Sequence, residues 1–139
     1  MTSAVSHTPA ASPEAAAMHF AGRLSLETDC WDVHHAIVNG KQDFVVLDVR
    51  SEELFREGHL PTAISLPHWQ IKEETLSQYP SDTLFVVYCA GPHCNGADKG
   101  ALAISRLGRT VRLMIGGAIG WLDEGFKLEP SPEGKMPVG

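Results

Sequence analysis

Cysteine is scarce in this chain. Cys30, Cys89 and Cys94 are the three it has among 139 residues, odd in number and unevenly spaced. That is not the disulfide framework of a small secreted domain, and it predicts reduced thiols. Long apolar runs are missing as well, since no stretch approaches the roughly 18 consecutive apolar residues of a membrane span. The opening MTSAVSHTPAASPEAAA lacks the basic start and apolar run of a secretory leader, which together with the thiols points to the cytoplasm. Positive charge is in deficit, with eleven Lys plus Arg against seventeen Asp plus Glu and a formal charge of −6. Without a basic field there is nothing to draw in a nucleic-acid backbone or an anionic membrane, so neither is expected as a partner.

What remains is 43% apolar and 20% charged with thirteen Gly, the make-up of a globular chain whose length suits one domain. Residues 1–18 are Ala, Ser, Thr and Pro with almost nothing to bury, and they are expected to form a flexible tail. The closing EPSPEGKMPVG is rich in Pro and Gly and predicts a second tail over 130–139, leaving one domain at 19–129. Within it, Thr28 and Asp29 offer cap oxygens ahead of Cys30, Val33 and Ile37 at helical spacing, and Asn39-Gly40 supplies the stop. Residues 44–49 (FVVLDV) form a nearly continuous apolar run, as in a parallel strand covered on both faces. Ser51 caps a further helix that Gly58 closes, and residues 63–66 read as another short strand followed by an ambiguous polar turn or helix. Residues 83–88 (TLFVVY) are the clearest strand and deliver Cys89 to their carboxyl end. A loop follows, then a helix with Ala97, Ala101, Ile104 and Leu107 on one face. Residues 110–114 form a last strand, and Gly116-Gly117 turns into a short helix at 118–122.

Strands alternating with helices imply an α/β fold with a parallel sheet between two helical layers, and ligands in such sheets sit beyond the carboxyl ends of the strands. Cys89 falls there. A thiol becomes a nucleophile when its thiolate is stabilised, and backbone N–H groups and helix N-termini do this without any acid or base. Ala90, Gly91, Pro92, His93, Cys94, Asn95 and Gly96 are expected to form that cradle, with Gly91 and Gly96 able to adopt positive backbone angles.

Four pieces in order, Leu47-Asp48-Val49-Arg50, then residues 57–64 (EGHLPTAI), then Val87-Tyr88-Cys89, then Gly116-Gly117 with Trp121, resemble a single-domain rhodanese across about residues 23–128. The resemblance implies a rhodanese-like three-layer α/β/α fold around a central, mostly parallel five-stranded sheet. It implies a sulfurtransferase in which Cys89 accepts sulfane sulfur from thiosulfate or a persulfide and passes it to a thiol, a cyanide-like acceptor or a sulfur-accepting protein. No cofactor is implied. One departure is that the segment from Cys89 to Gly108 is about two residues longer than in the commonest single-domain members and lacks their loop arginine. The longer loop is similar to the branch that handles phosphate or arsenate, but that branch grips its oxyanion with an arginine where Asn95 stands here. A non-catalytic, partner-binding or regulatory module of the same fold is the other alternative.

Several residues admit more than one role. Cys94 is open to three: a second redox thiol, a sulfur carrier, or a loop side chain filling space. Asp48 and Arg50 flank a strand end, read as the same side of the sheet as Cys89, and support the rim either through a network or as a structural pair. His59 is expected to pack its turn, Trp121 and Cys30 to be core, His34-His35 to be a solvated helix face, and His93 to be a loop cation beside an anionic donor or simply exposed. Cys89, His93 and Cys94 lie close together, yet two well-spaced ligand pairs are absent and no metal is expected.

Overall fold

Parallel pairing of the apolar runs organises residues 1–131, which are described here from a computed structural model. The chain runs through α1 (Pro13–Leu26), β1 (Glu27–Thr28), α2 (Cys30–Val38), β2 (Val45–Asp48), α3 (Glu52–Glu57) and β3 (Ile64–Ser65). A 3-10 turn (His68–Gln70), α4 (Glu73–Leu76), β4 (Leu84–Tyr88), α5 (Gly96–Arg106), β5 (Thr110–Met114) and α6 (Gly117–Asp123) complete it. The five strands stand in the order β1-β5-β4-β2-β3, every pair parallel, so β4 is central and ends at Tyr88. Strands buried on both sides need apolar residues at successive positions, which is why β2 and β4 read as runs rather than alternations.

Side chains alternate across the sheet and build two cores. Val46, Val86, Tyr88 and Met114 meet Cys30 and Val33 of α2, Phe55 of α3 and Trp121 of α6. On the other face Leu47, Phe85, Val87 and Cys89 meet Leu76 of α4 and Ala97 and Ile104 of α5. Three layers result, as the α/β reading requires.

Local caps follow the sequence closely. Asp29 accepts the N–H of Asp32 at 2.8 Å and starts α2, while Thr28 is drawn instead into the two-residue β1 beside β5. Ser51 accepts the N–H of Leu54 at 3.3 Å and starts α3, whose carboxyl-terminal cap is Gly58. The ambiguous stretch after Pro67 becomes the 3-10 turn and α4.

The expected tail over residues 1–18 is overturned in its second part, because α1 begins at Pro13. None of its residues is buried, so burial is not what orders it. The Ser12 hydroxyl caps the N–H of Ala15 at 3.2 Å, Pro13 occupies the first helical turn and three Ala follow, a combination that favours helix locally. Arg112 of β5 then donates to the Leu24 carbonyl and fastens the helix to the sheet edge. At the other end, the Ser131 N–H donates to the Arg56 carbonyl at 3.1 Å, so the start of the expected tail at 130–139 is held; residues 132–139 lie outside the described residues.

Candidate active site

β4 delivers Cys89 to the sheet's carboxyl edge, and the chain then turns back on itself. The Cys94 N–H donates to the Gly91 carbonyl at 3.1 Å, closing a turn that returns the Cys94 side chain to Cys89. The two are bonded as a disulfide with their Cα atoms 6.5 Å apart, which corrects the expectation of reduced thiols for this pair. Cys30 is the free cysteine. The partners are unequally sheltered: Cys89 is 6% exposed, whereas Cys94 stands on the surface.

Two glycines make the arrangement possible. A Cβ on Gly96 would lie 2.7 Å from the Cys89 sulfur and 3.3 Å from that of Cys94, so the first residue of α5 must be bare for both sulfurs to fit. Gly117 sits at φ +63°, and a Cβ there would press against backbone alone, 2.7 Å from the Gly91 nitrogen and 2.9 Å from the Ala90 carbonyl carbon. This close approach lets the first N–H groups of α6 reach the loop, Ala118 donating to the Cys89 carbonyl at 2.9 Å and Ile119 to the Ala90 carbonyl at 2.8 Å. Because a trans peptide aims its C=O and N–H oppositely, the N–H groups of Ala90 and Gly91 are turned away from those oxygens.

A cavity of about 220 Å³ opens onto this loop. Cys89 lines it together with Gly91, Pro92 and Cys94 of the expected cradle, joined by the end of β5 and the Gly116-Gly117 turn; Ala90, His93, Asn95 and Gly96 of that cradle do not. His93 and Asn95 are exposed instead, and Gly96 acts from behind the sulfurs. Sequence reasoning missed Asp98, whose place in the first turn of α5 puts a carboxylate in the lining. The Gly96 N–H donates to the Cys94 sulfur at 3.3 Å, and α5 runs eleven residues behind it, so a helix N-terminus faces the pair and favours an anionic sulfur.

Asp48 and Arg50 belong to the opposite face of the sheet, which corrects their expected side. Asp48 is in register with Tyr88, one residue before Cys89, and alternation sends the two β4 side chains to different cores. There Arg50 grips Asp48 at 2.7 Å and donates to the Gly58 carbonyl at 2.6 Å. The Tyr88 hydroxyl donates to Asp48 at 2.7 Å and accepts the Leu60 N–H at 3.1 Å. Burial first, then the Asp48 charge, pushes the Tyr88 phenol well above its ordinary range and keeps it a donor. Burial opposes the Arg50 charge, but its bonds to Asp48 outweigh that and hold its pKa up. This network locks the end of β2 to the turn after α3.

The remaining candidates are placed plainly. His59 stacks on Phe55 with ring centroids 3.9 Å apart and its Nδ1 lies 3.0 Å from the Phe55 carbonyl, a packing role. Trp121 is fully buried and its indole N–H donates to the Lys127 carbonyl at 3.0 Å. His34 is not a solvated face residue, since it stacks on Phe126 at 3.7 Å. Among the described residues no group of three His, Cys, Asp or Glu side chains is gathered as a metal site, and no helix is long and apolar enough to cross a membrane.

The model of the rhodanese-like domain matches residues 32–124, which is most of the described chain. The chain belongs to the rhodanese-like domain family. The rhodanese-like chain is 39% identical to the BH2092 protein from Bacillus halodurans, with a TM-score of 0.82, 86% of this chain and 87% of that one being covered. The rhodanese-like domain of the Alr3790 protein from Anabaena sp. shares the fold at 23% identity, a TM-score of 0.68 and coverage of 81% and 85%. The thiosulfate sulfurtransferase from Pseudomonas aeruginosa shares it at 21% identity and a TM-score of 0.66, with 86% of this chain covering 23% of that one. A curated relative, the HTH-type transcriptional regulator Rv0324 of Mycobacterium tuberculosis, is 31% identical over 97 residues, which is 70% of this chain and 41% of that protein. The rhodanese-like chain thus spans about two-fifths of that relative's length.

Proposed function

We propose that the protein is a sulfurtransferase whose carrier is Cys89, acting in the cytoplasm on a small sulfur donor such as thiosulfate or a persulfide. The observation that carries this reading is the placement of the Cys89 sulfur, at the end of the central strand, against a helix N-terminus and in the wall of a cavity of about 220 Å³. Once a thiol reductant opens the disulfide, the Cys89 thiolate attacks the outer sulfur of thiosulfate, the S–S bond of the donor breaks, and sulfite leaves with the electron pair. The anionic persulfide on Cys89 rests against main-chain N–H groups of the loop and the start of α5, which stabilise negative charge without a side-chain cation. A thiol or a cyanide-like acceptor then takes the outer sulfur, and the thiolate returns. Neither a metal nor an organic cofactor is required for either step.

The test is sulfur loading. Reduced protein incubated with thiosulfate should release sulfite and gain one sulfur atom by mass spectrometry. The Cys89→Ser variant should do neither. Failure of the parent protein to load with thiosulfate and with persulfide donors, while it remains folded, would refute the reading.

A second reading, a regulatory module, is favoured by the likeness to a transcriptional regulator and by the pairing of Cys89 with Cys94, which removes the nucleophile on oxidation. It predicts that the folded, reduced protein takes up no sulfur. Arsenate or phosphate chemistry has less to support it, because Asn95 is exposed and stands where an oxyanion-gripping arginine would be needed.

A further inference from the structure

We infer that Cys94 is a resolving thiol, so that the sulfur loaded on Cys89 leaves as hydrosulfide and the protein works as a thiosulfate or persulfide reductase driven by a dithiol. This rests on the reading of Cys89 as the sulfur carrier and specifies what becomes of the sulfur. Three observations support it. The Cys94 sulfur is bonded to the inner sulfur, the Sγ of Cys89 itself, which is the atom that a resolving thiol must attack. The turn closed by the Cys94 N–H and the Gly91 carbonyl returns it there, and the bare Gly96 leaves room for both sulfurs. The Gly96 N–H, at 3.3 Å from the Cys94 sulfur, favours its thiolate, the form that attacks.

The step balances. The Cys94 thiolate attacks Sγ of the Cys89 persulfide, the Cys89–Cys94 bond forms, and the bond from Sγ to the outer sulfur breaks. The outer sulfur departs with the electron pair and the proton lost by Cys94, as hydrosulfide. The sulfane sulfur is reduced to sulfide, and the two cysteine sulfurs are oxidised together to the disulfide. A dithiol reductant then attacks the more accessible sulfur, that of the exposed Cys94, and frees the Cys89 thiolate for the next donor. Per turnover, thiosulfate and one dithiol become sulfite, hydrosulfide and one oxidised dithiol.

The experiment is a single turnover with pre-reduced, desalted protein and thiosulfate, with no reductant or cyanide present. Parent protein should release sulfite and about one equivalent of hydrosulfide per chain, and peptide mapping should show Cys89 joined to Cys94 with Cys30 still a thiol. Cys94→Ser, and Cys94→Ala as a second replacement at this exposed position, should release sulfite but no hydrosulfide above background. Both should keep the added sulfur on Cys89, where cyanide discharges it as thiocyanate. Parent protein that retains the added sulfur on Cys89 or on Cys94 and releases no hydrosulfide overturns the inference while leaving sulfur transfer intact. Equal hydrosulfide from parent and variants overturns it too. Absence of sulfite from parent and variants alike, together with no sulfur gained by the folded proteins from a persulfide donor, overturns the sulfurtransferase reading beneath it.

Discussion

Replacing Gly117 by alanine should separate the effect of backbone angle from that of contact. The position lies at φ +63°, and the new Cβ would stand 2.7 Å from the Gly91 nitrogen and 2.9 Å from the Ala90 carbonyl carbon, atoms that no side-chain rotation can move aside. A left-handed alanine costs about 1–2 kcal/mol. Overpacking against fixed backbone adds about 1–3 kcal/mol. If the loop retreats, the bonds from Ala118 and Ile119 lengthen, at about 1 kcal/mol each. Gly108 is the matching control, since it lies at φ +77° with nothing within 4 Å of its would-be Cβ. Gly108→Ala shares the angular cost and the narrowing of the unfolded chain, so the difference between the variants isolates the contact, at about 1–3 kcal/mol whether the loop is compressed or retreats. Urea unfolding of the reduced proteins, at equal m-values, measures it. Sulfur loading at Cys89 should slow in the Gly117 variant and stay at the parental rate in the Gly108 variant. Equal loss of stability in the two would show that α6 does not buttress the loop by contact.

Other outcomes follow from the same structure. Gly96→Ala should slow closure of the Cys89–Cys94 bond by a mild oxidant, because its Cβ would crowd both sulfurs; thiol loss over time, compared with Gly108→Ala, reads this. Tyr88→Phe strands the Leu60 N–H inside the protein and leaves Asp48 Oδ2 to Arg50 alone, and should lower stability by about 1–3 kcal/mol in urea while sulfur loading per folded chain is unchanged, the network being on the other face of the sheet. Asp98→Asn removes a carboxylate from the cavity lining and should raise the loading rate with thiosulfate severalfold at low salt, an advantage that added salt erases. Cys30 is 5% exposed, and its burial, then the Asp29 and Glu124 charges, raises its pKa to about 11. Its thiol should resist alkylation at pH 8 until denaturant is added. Because the folded pKa is the higher one, Cys30 favours folding at neutral pH, and that share is lost as pH climbs from about 9 towards 11; Cys30→Ala should flatten this part of the stability profile.

The strands that carry the site were legible because burial on both faces leaves a mark on sequence. Residues 44–49 and 83–88 are apolar runs, and β2 and β4 lie within them. β1 was not legible, since two residues at a sheet edge carry no periodicity. α1 was misread because its order comes from a cap and alanine propensity rather than from burial, and composition weighed only the latter. Counting in twos along β4 separates Tyr88 from Cys89, but the face of Asp48 follows only from the β2–β4 register that sets it beside Tyr88, and no pattern within either strand encodes that register. Gly116-Gly117 was visible as a turn, but its pressure on Cys89 and Ala90 joins segments more than twenty residues apart, and no local pattern encodes that. The spacing of Cys89 and Cys94 left three roles open; the disulfide shows that the second thiol reaches the first.

α6 holds the loop at its entry, through the Cys89 and Ala90 carbonyls, and Gly96 anchors its exit at the start of α5. Between those moorings Pro92, His93, Cys94 and Asn95 are all exposed and support no core. Pro92, His93 and Asn95 are therefore the positions at which new donor preferences can be grafted around a retained Cys94, while the strand that presents Cys89 stays untouched.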